Sequence, residues 1–168
     1  MKITILISLL LLSILKLPHN KTPVIYSSKH SHLISIDTSK YAIIKFDANS
    51  NNIFDKSYKP TTLSNDDIIQ IEKLIAKKIL EINNEVKSKG VIKSDLIKNP
   101  EKYYKQFIPV INSKGEKEVW VNCFCSIEYS PNWKKNIVIV EDGGSCYFQL
   151  KINLTKNILY DLTINGVG

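Results

Sequence analysis

From Ile68 to Val86 the chain repeats isoleucine at helical intervals. Ile68, Ile71, Ile75, Ile79, Ile82 and Val86 recur at spacings of three and four, which draws one apolar stripe along a helix. The start is marked as well. The Ser64 hydroxyl can accept from the Asp67 N–H, and the Asp67 carboxylate sits near the positive helix end, a variant of the capping box. Gly90 can take the left-handed conformation that ends the helix. This is the only long helix predicted after the apolar start of the chain. A single stripe has one face to bury, so strands must supply the other layer.

Those strands are predicted on both sides of the helix. Upstream, "HLISID" (32–37) and "YAIIKF" (41–46) are short β-branched runs separated by Thr38, Ser39 and Lys40, a hairpin pattern. The polar stretch from Asp47 to Thr62 reads as a loop. "NPEKYYK" (99–105) adds a helical turn with Asn99 as cap and Pro100 in the first position. Downstream, "KQFIPVIN" turns through 113–116 into "KEVWVNCFC". "NIVIVE" (136–141) turns through "DGGS" (142–145) into "CYFQLKINL", and "TKN" leads into "ILYDLTIN" (158–165). Gly115 and the Gly143-Gly144 pair supply the positive φ that tight turns need. In the last two strands a period of two sets Cys146, Phe148, Leu150, Ile152 and Leu154 on one face. Ile158, Tyr160, Leu162 and Ile164 do the same in the final strand. The expectation is a two-layer α+β domain, one amphipathic helix on an antiparallel sheet of four or more strands, cystatin-like by analogy. Residues 21–62 hold the N-terminal strands and polar loop, and residues 63–168 the helix and sheet, forming one domain with 24–62.

The first residues speak to location. Met1-Lys2 precedes the apolar run Ile3 to Leu15, followed by Lys16 and Pro18. That is signal-peptide length, shorter than the roughly 18 residues of a spanning helix. Residues 1–20 are therefore expected to be a signal peptide or an N-terminal anchor, and the protein to be exported to the periplasm, the cell envelope or the medium. No pair of small residues sits at a cleavage spacing before "KLPHNKT", so an uncleaved anchor stays open. Contact with membrane is expected only through residues 1–17, if uncleaved.

The formal net charge of +7 does not point to nucleic acid. All the basic residues are lysines scattered along the chain, and arginine, the residue of bidentate base and phosphate recognition, is absent. No P-loop, G-x-G-x-x-G, H-E-x-x-H or G-x-S-x-G is present. Glu116, Glu118, Glu128, Glu141 and Asp142 lie near turns, and nothing in sequence couples two of them into an acid and a base. No catalytic residue, metal ligand or cofactor is predicted.

Three cysteines fall in "VWVNCFC" (119–125) and "GGSCYF" (143–148). Alternation puts Val119, Val121, Cys123 and Cys125 on one face beneath the helix, and Cys146 in register with Phe148 and Leu150. All three thiols thus read as core residues. A disulfide from Cys146 to Cys123 or Cys125 meets a geometric objection. With "NIVIVE" as an intervening strand, Cys125 and Cys146 fall at opposite ends of the sheet, roughly 20 Å apart at 3.3 Å per residue. A bridge needs Cα atoms within about 7 Å. An oxidising compartment pulls the other way. His30 and His32 form an H-x-H pair that could meet thiols as a metal site, yet nothing in sequence requires it.

The opposite face carries Trp120, Asn122, Phe124, Tyr147, Gln149 and Lys151, with Asn153 beyond. Aromatics mixed with amides and a lysine make a candidate surface for an unknown protein or small ligand. Alternatively, the N-terminal hairpin covers it, since exposing Trp and Phe is costly.

The stretch from Tyr104 to Gly166, above all "VWVNCFC" and "DGGSCYF", resembles a family of uncharacterised exported bacterial proteins. The resemblance implies export and brings no activity, cofactor or site residue with it. Cystatins inhibit proteases through a Q-x-V-x-G loop, which "QFIPVINSKG" does not match. The expected function is an exported or envelope-associated binding domain without evident catalysis. A hydrolytic or thiol-dependent enzyme and a membrane-tethered structural protein are the alternatives.

Overall fold

The capping box forms as the sequence predicts. The Asp67 N–H donates to the Ser64 hydroxyl at 3.1 Å, and the Ser64 N–H donates to the Asp67 carboxylate at 2.7 Å. Helix α1 runs over Asn65–Ser88, and Gly90, at φ +70°, follows its last turn. The computed structural model describes residues 37–49, 52–90, 96–128 and 130–166, all within one unit spanning 36–168. Residues 1–36 lie outside the described residues, and with them the apolar start, His19, His30, His32 and most of the first half of the expected hairpin. No helix among the described residues is long and apolar enough to cross a membrane.

Six strands make one mixed sheet: β1 (Tyr41–Ile43), β2 (Lys59–Pro60), β3 (Tyr104–Ile111), β4 (Lys117–Phe124), β5 (Tyr147–Asn153) and β6 (Ile158–Ile164). The spatial order is β1-β3-β4-β5-β6, and β2 also pairs with β3. The α+β class is as expected. The wholly antiparallel sheet is not, because β1 pairs parallel to β3, with Tyr41 opposite Lys105. A parallel neighbour needs a long crossover, and α1 lies in the connection. The short turn Pro100–Lys102 is present, but Asn99 takes the left-handed conformation and its side chain caps nothing.

"NIVIVE" is not a strand of the sheet. Strand β4 pairs directly with β5, antiparallel, from Glu118 opposite Asn153 to Phe124 opposite Tyr147. The described residues between them, 126–128 and 130–143, leave the sheet as an excursion across its far face. The alternation expected in β6 also breaks. Asp161 has φ 50°, and the β5–β6 register shifts between Gln149 and Lys151, a bulge that turns the side chains over. Leu159, Leu162 and Ile164 therefore face the helix-side core, whereas Tyr160 reaches the far side to donate to Glu118.

The sheet separates two apolar layers. On the helix side, Ile71, Ile75 and Ile79 pack on Phe107, Val119, Val121, Phe148, Leu150 and Ile152. On the far side, Ile108, Val110 and Trp120 meet Phe46 and Phe54, and Phe124 meets Trp133 and Val138. The second layer exists because residues 44–49, 52–58, 126–128 and 130–143 fold back over strands β3 and β4.

Candidate functional site

The geometry of the cysteines reverses the expectation. Cys125 and Cys146 form a disulfide with Cα atoms 5.1 Å apart. Since β4 and β5 are neighbours, the end of one meets the start of the other, and the two cysteines continue the ladder just past Phe124 and Tyr147. The Cys125 N–H donates to the Cys146 carbonyl at 3.1 Å. Tyr103 donates from its hydroxyl to the adjoining Ser145 carbonyl. The bond closes the excursion at its base. Cys125 is exposed and Cys146 half-buried, so only Cys123 is the core thiol that alternation predicts for all three.

Cys123 belongs to a buried polar cluster under α1. It stands directly opposite Lys105, and both are fully buried. The Lys105 ammonium lies 3.2 Å from Glu72 Oε1 and donates to the carbonyls of Pro100 and Tyr103 at 2.9 and 3.4 Å. Tyr41 donates to the same Glu72 oxygen at 3.0 Å. All three ammonium hydrogens thus have acceptors. Burial pushes the Cys123 thiol well above its ordinary value, against the pull of Lys105, so it stays protonated and lacks thiolate reactivity. Burial, then Glu72, likewise raises Tyr41. The arrangement holds charges inside the protein; it does not present them.

A second cluster links two of the carboxylates that sequence left uncoupled. Asn112 donates to Glu118 Oε1 at 2.7 Å and to Glu116 Oε2 at 3.0 Å. Asn153 bridges the same two oxygens at 3.3 and 2.7 Å. Tyr160 donates to Glu118 Oε2 at 2.6 Å, and Lys156 pairs with Glu116 at 2.8 Å. Hydrogen bonds from Lys156, Asn112 and Asn153 hold the Glu116 carboxyl at about 2. With its oxygens occupied by donors from three strand ends, the pair locks the β3–β4 turn to β5 and β6.

The proposed aromatic surface is covered. Trp120, Asn122 and Phe124 are buried at 7%, 3% and 0% exposure, beneath Phe46, Phe54, Trp133 and Val138. Tyr147, Gln149 and Lys151 are half-buried; Lys151 pairs with Asp161 at 3.1 Å and lies over the Phe54 ring. Asn122 turns out to anchor the excursion. It donates to the Val138 carbonyl at 2.8 Å and to Gln106 Oε1 at 3.1 Å. Gln106 in turn donates to the carbonyls of Trp133 and Asn136. Sequence reasoning missed Gln106, Lys105 and Glu72. A signal existed for Lys105, which shares strand period with Phe107.

A groove of about 480 Å³ lies open beside α1. Its lining joins the apolar Ile69 and Leu74 to the polar Gln70 and Asn157 and to Lys73, Lys77 and Asp66. Gln70 is fixed by bonds to the Leu154 carbonyl and Asn157 at 2.9 and 3.0 Å. Among the described residues no group of three or more His, Cys, Asp or Glu side chains is placed to hold a metal. No protein family, no curated protein and no solved structure matches the chain.

Proposed function

We propose that the protein is an exported domain that acts by binding, without catalysis of its own, and that it binds in the groove beside α1. The observation that carries the reading is the Cys125–Cys146 disulfide. Such bonds persist in oxidising compartments and are rare in the cytosol, which agrees with the apolar start at Ile3 to Leu15. Binding is favoured over chemistry because the buried ionisable groups Glu72, Lys105 and Glu118 spend their hydrogen bonds on internal partners. The groove has the size of a small-ligand site and joins an apolar wall to a few polar groups. Lys73 and Lys77, one helical turn apart, suit it to an acidic ligand or an acidic segment of a partner.

Two measurements on one culture test this. Cell fractionation reports location, and a photo-cross-linking residue in place of Lys77 reports contact, with Lys87 in the last turn of α1 as the control position. The proposal expects the protein outside the cytoplasm and a discrete adduct from position 77 only. Cytoplasmic protein sinks the export reading; equal or absent adducts at both positions sink the groove. An N-terminal tether would show as full-length mass in the membrane fraction, with binding at position 77 unaffected.

A further inference from the structure

The excursion presents an open strand edge. The carbonyls of Asn136, Val138 and Val140 accept from the amides of Gln106, Asn122 and Asn165, and the Val138 N–H donates to Gln106 Oε1 at 2.9 Å. Alternate residues are taken, which is the period of an extended chain. The N–H and C=O groups of Ile137 and Ile139 must then point the other way, and they have no partner among the described residues. Ile139 is 81% exposed, the most exposed of the large hydrophobics among the described residues. Three side-chain amides thus hold a β-branched segment straight by its inner edge and leave the outer edge free. Proteins usually blunt such an edge, since it invites pairing.

The flanking charges say what pairs there. Lys134 and Lys135 precede the segment and Glu141 and Asp142 follow it, all four exposed. We propose that this edge pairs antiparallel with the same edge of a second copy of the chain, about a two-fold axis at Val138. In that register Ile137 lies opposite the second copy's Ile139, and Ile139 opposite its Ile137. Both are hydrogen-bonding pairs, each exchanging N–H···O=C in both directions. Lys134 and Lys135, in the turn just before the segment, then come to the end at which the second copy's Glu141 and Asp142 lie. Parallel pairing would set lysine against lysine and carboxylate against carboxylate. The contact is isologous, as a two-fold dimer requires. One strand pair buries less than a standard interface, so the dimer is concentration-dependent. It is independent of the groove beside α1.

Sedimentation velocity over a concentration series, on the full chain with its disulfide intact, tests the proposal. The wild type moves from monomer to dimer as concentration rises. I139P removes an outward N–H at an exposed residue and stays monomeric. K134E/K135E sets acid against acid and also stays monomeric. K134E/K135E/E141K/D142K inverts both ends, restores complementarity and recovers the dimer. Thermal unfolding monitors folding of each variant, and if I139P does not fold, the charge series decides alone. A wild type monomeric throughout, a dimer indifferent to these changes, or a quadruple variant that does not recover overturns the proposal.

Discussion

Reducing the Cys125–Cys146 bond should cost the protein about 3 kcal/mol. The bond closes a loop with a sequence separation of 21. In the chain-entropy account the cross-link removes roughly 2.1 + 1.5R ln n cal/mol/K from the unfolded state, about 11 cal/mol/K for this loop, or about 3 kcal/mol at 25 °C. The native state should change little, because the excursion keeps its anchors at Gln106 and Asn122 and its buried Trp133 and Val138. The assay is urea unfolding of the oxidised protein, the reduced protein and a Cys125→Ser/Cys146→Ser variant. With a slope of roughly 2 kcal/mol/M, the midpoint falls by about 1.5 M, and the slope steepens because the uncrosslinked unfolded chain exposes more surface. Cys123 should remain unreactive in the folded reduced protein. Equal midpoints for oxidised and reduced protein would refute the reasoning. Rapid labelling of Cys123 after reduction would refute the claim that the native body survives.

Three further outcomes follow from the polar clusters. Lys105→Met strands Glu72 in the core and should cost about 3–5 kcal/mol, whereas Lys105→Met with Glu72→Leu should recover most of it; a double-mutant unfolding cycle reads both. Gln106→Ala leaves the Val138 N–H and the Asn136 carbonyl without their partner, at about 1–3 kcal/mol for each orphaned group. Amide exchange should quicken at Val138 while Leu150 in β5 stays protected, and unchanged exchange at Val138 would count against the anchoring role. Glu116 has a folded pKa of about 2 against an ordinary 4.5, with Lys156, Asn112 and Asn153 as the cause. Its contribution to stability is therefore complete above about pH 4.5 and is lost as pH falls toward 2. Glu116→Gln should flatten the loss of stability across that window, and a profile as steep as wild type would contradict the assignment.

The parts of the fold legible in sequence are those fixed by near neighbours. Ser64 and Asp67 are three residues apart, so the capping box and the isoleucine stripe announce the helix. Strands β4 and β5 alternate in sequence, and the helix-side core of Val119, Val121, Phe148, Leu150 and Ile152 follows from that alternation. Asp161 breaks the same rule in β6, since a bulge inserts a residue without changing composition. The far face was misread for one reason. Ile137 to Val140 carry the composition of a strand, but side-chain amides satisfy their inner edge in place of a neighbouring strand. Pattern cannot tell the two apart. Once that segment leaves the sheet, β4 and β5 become neighbours and the distance objection to the disulfide disappears. Asn122 and Gln106, amides set among large apolar residues, were the available sign that something lay over them. The parallel pairing of β1 was invisible, because strand direction is settled by a crossover of some sixty residues and not by any local spacing.

The most direct test of the account is the state of the three cysteines in protein taken from cells, with thiols blocked at the moment of lysis and peptides mapped without reductant. The account predicts a Cys125–Cys146 link and a single free thiol at Cys123 that labels only after unfolding. Three free thiols, or a link through Cys123, would contradict both the clasped excursion and the proposal of export that rests on it.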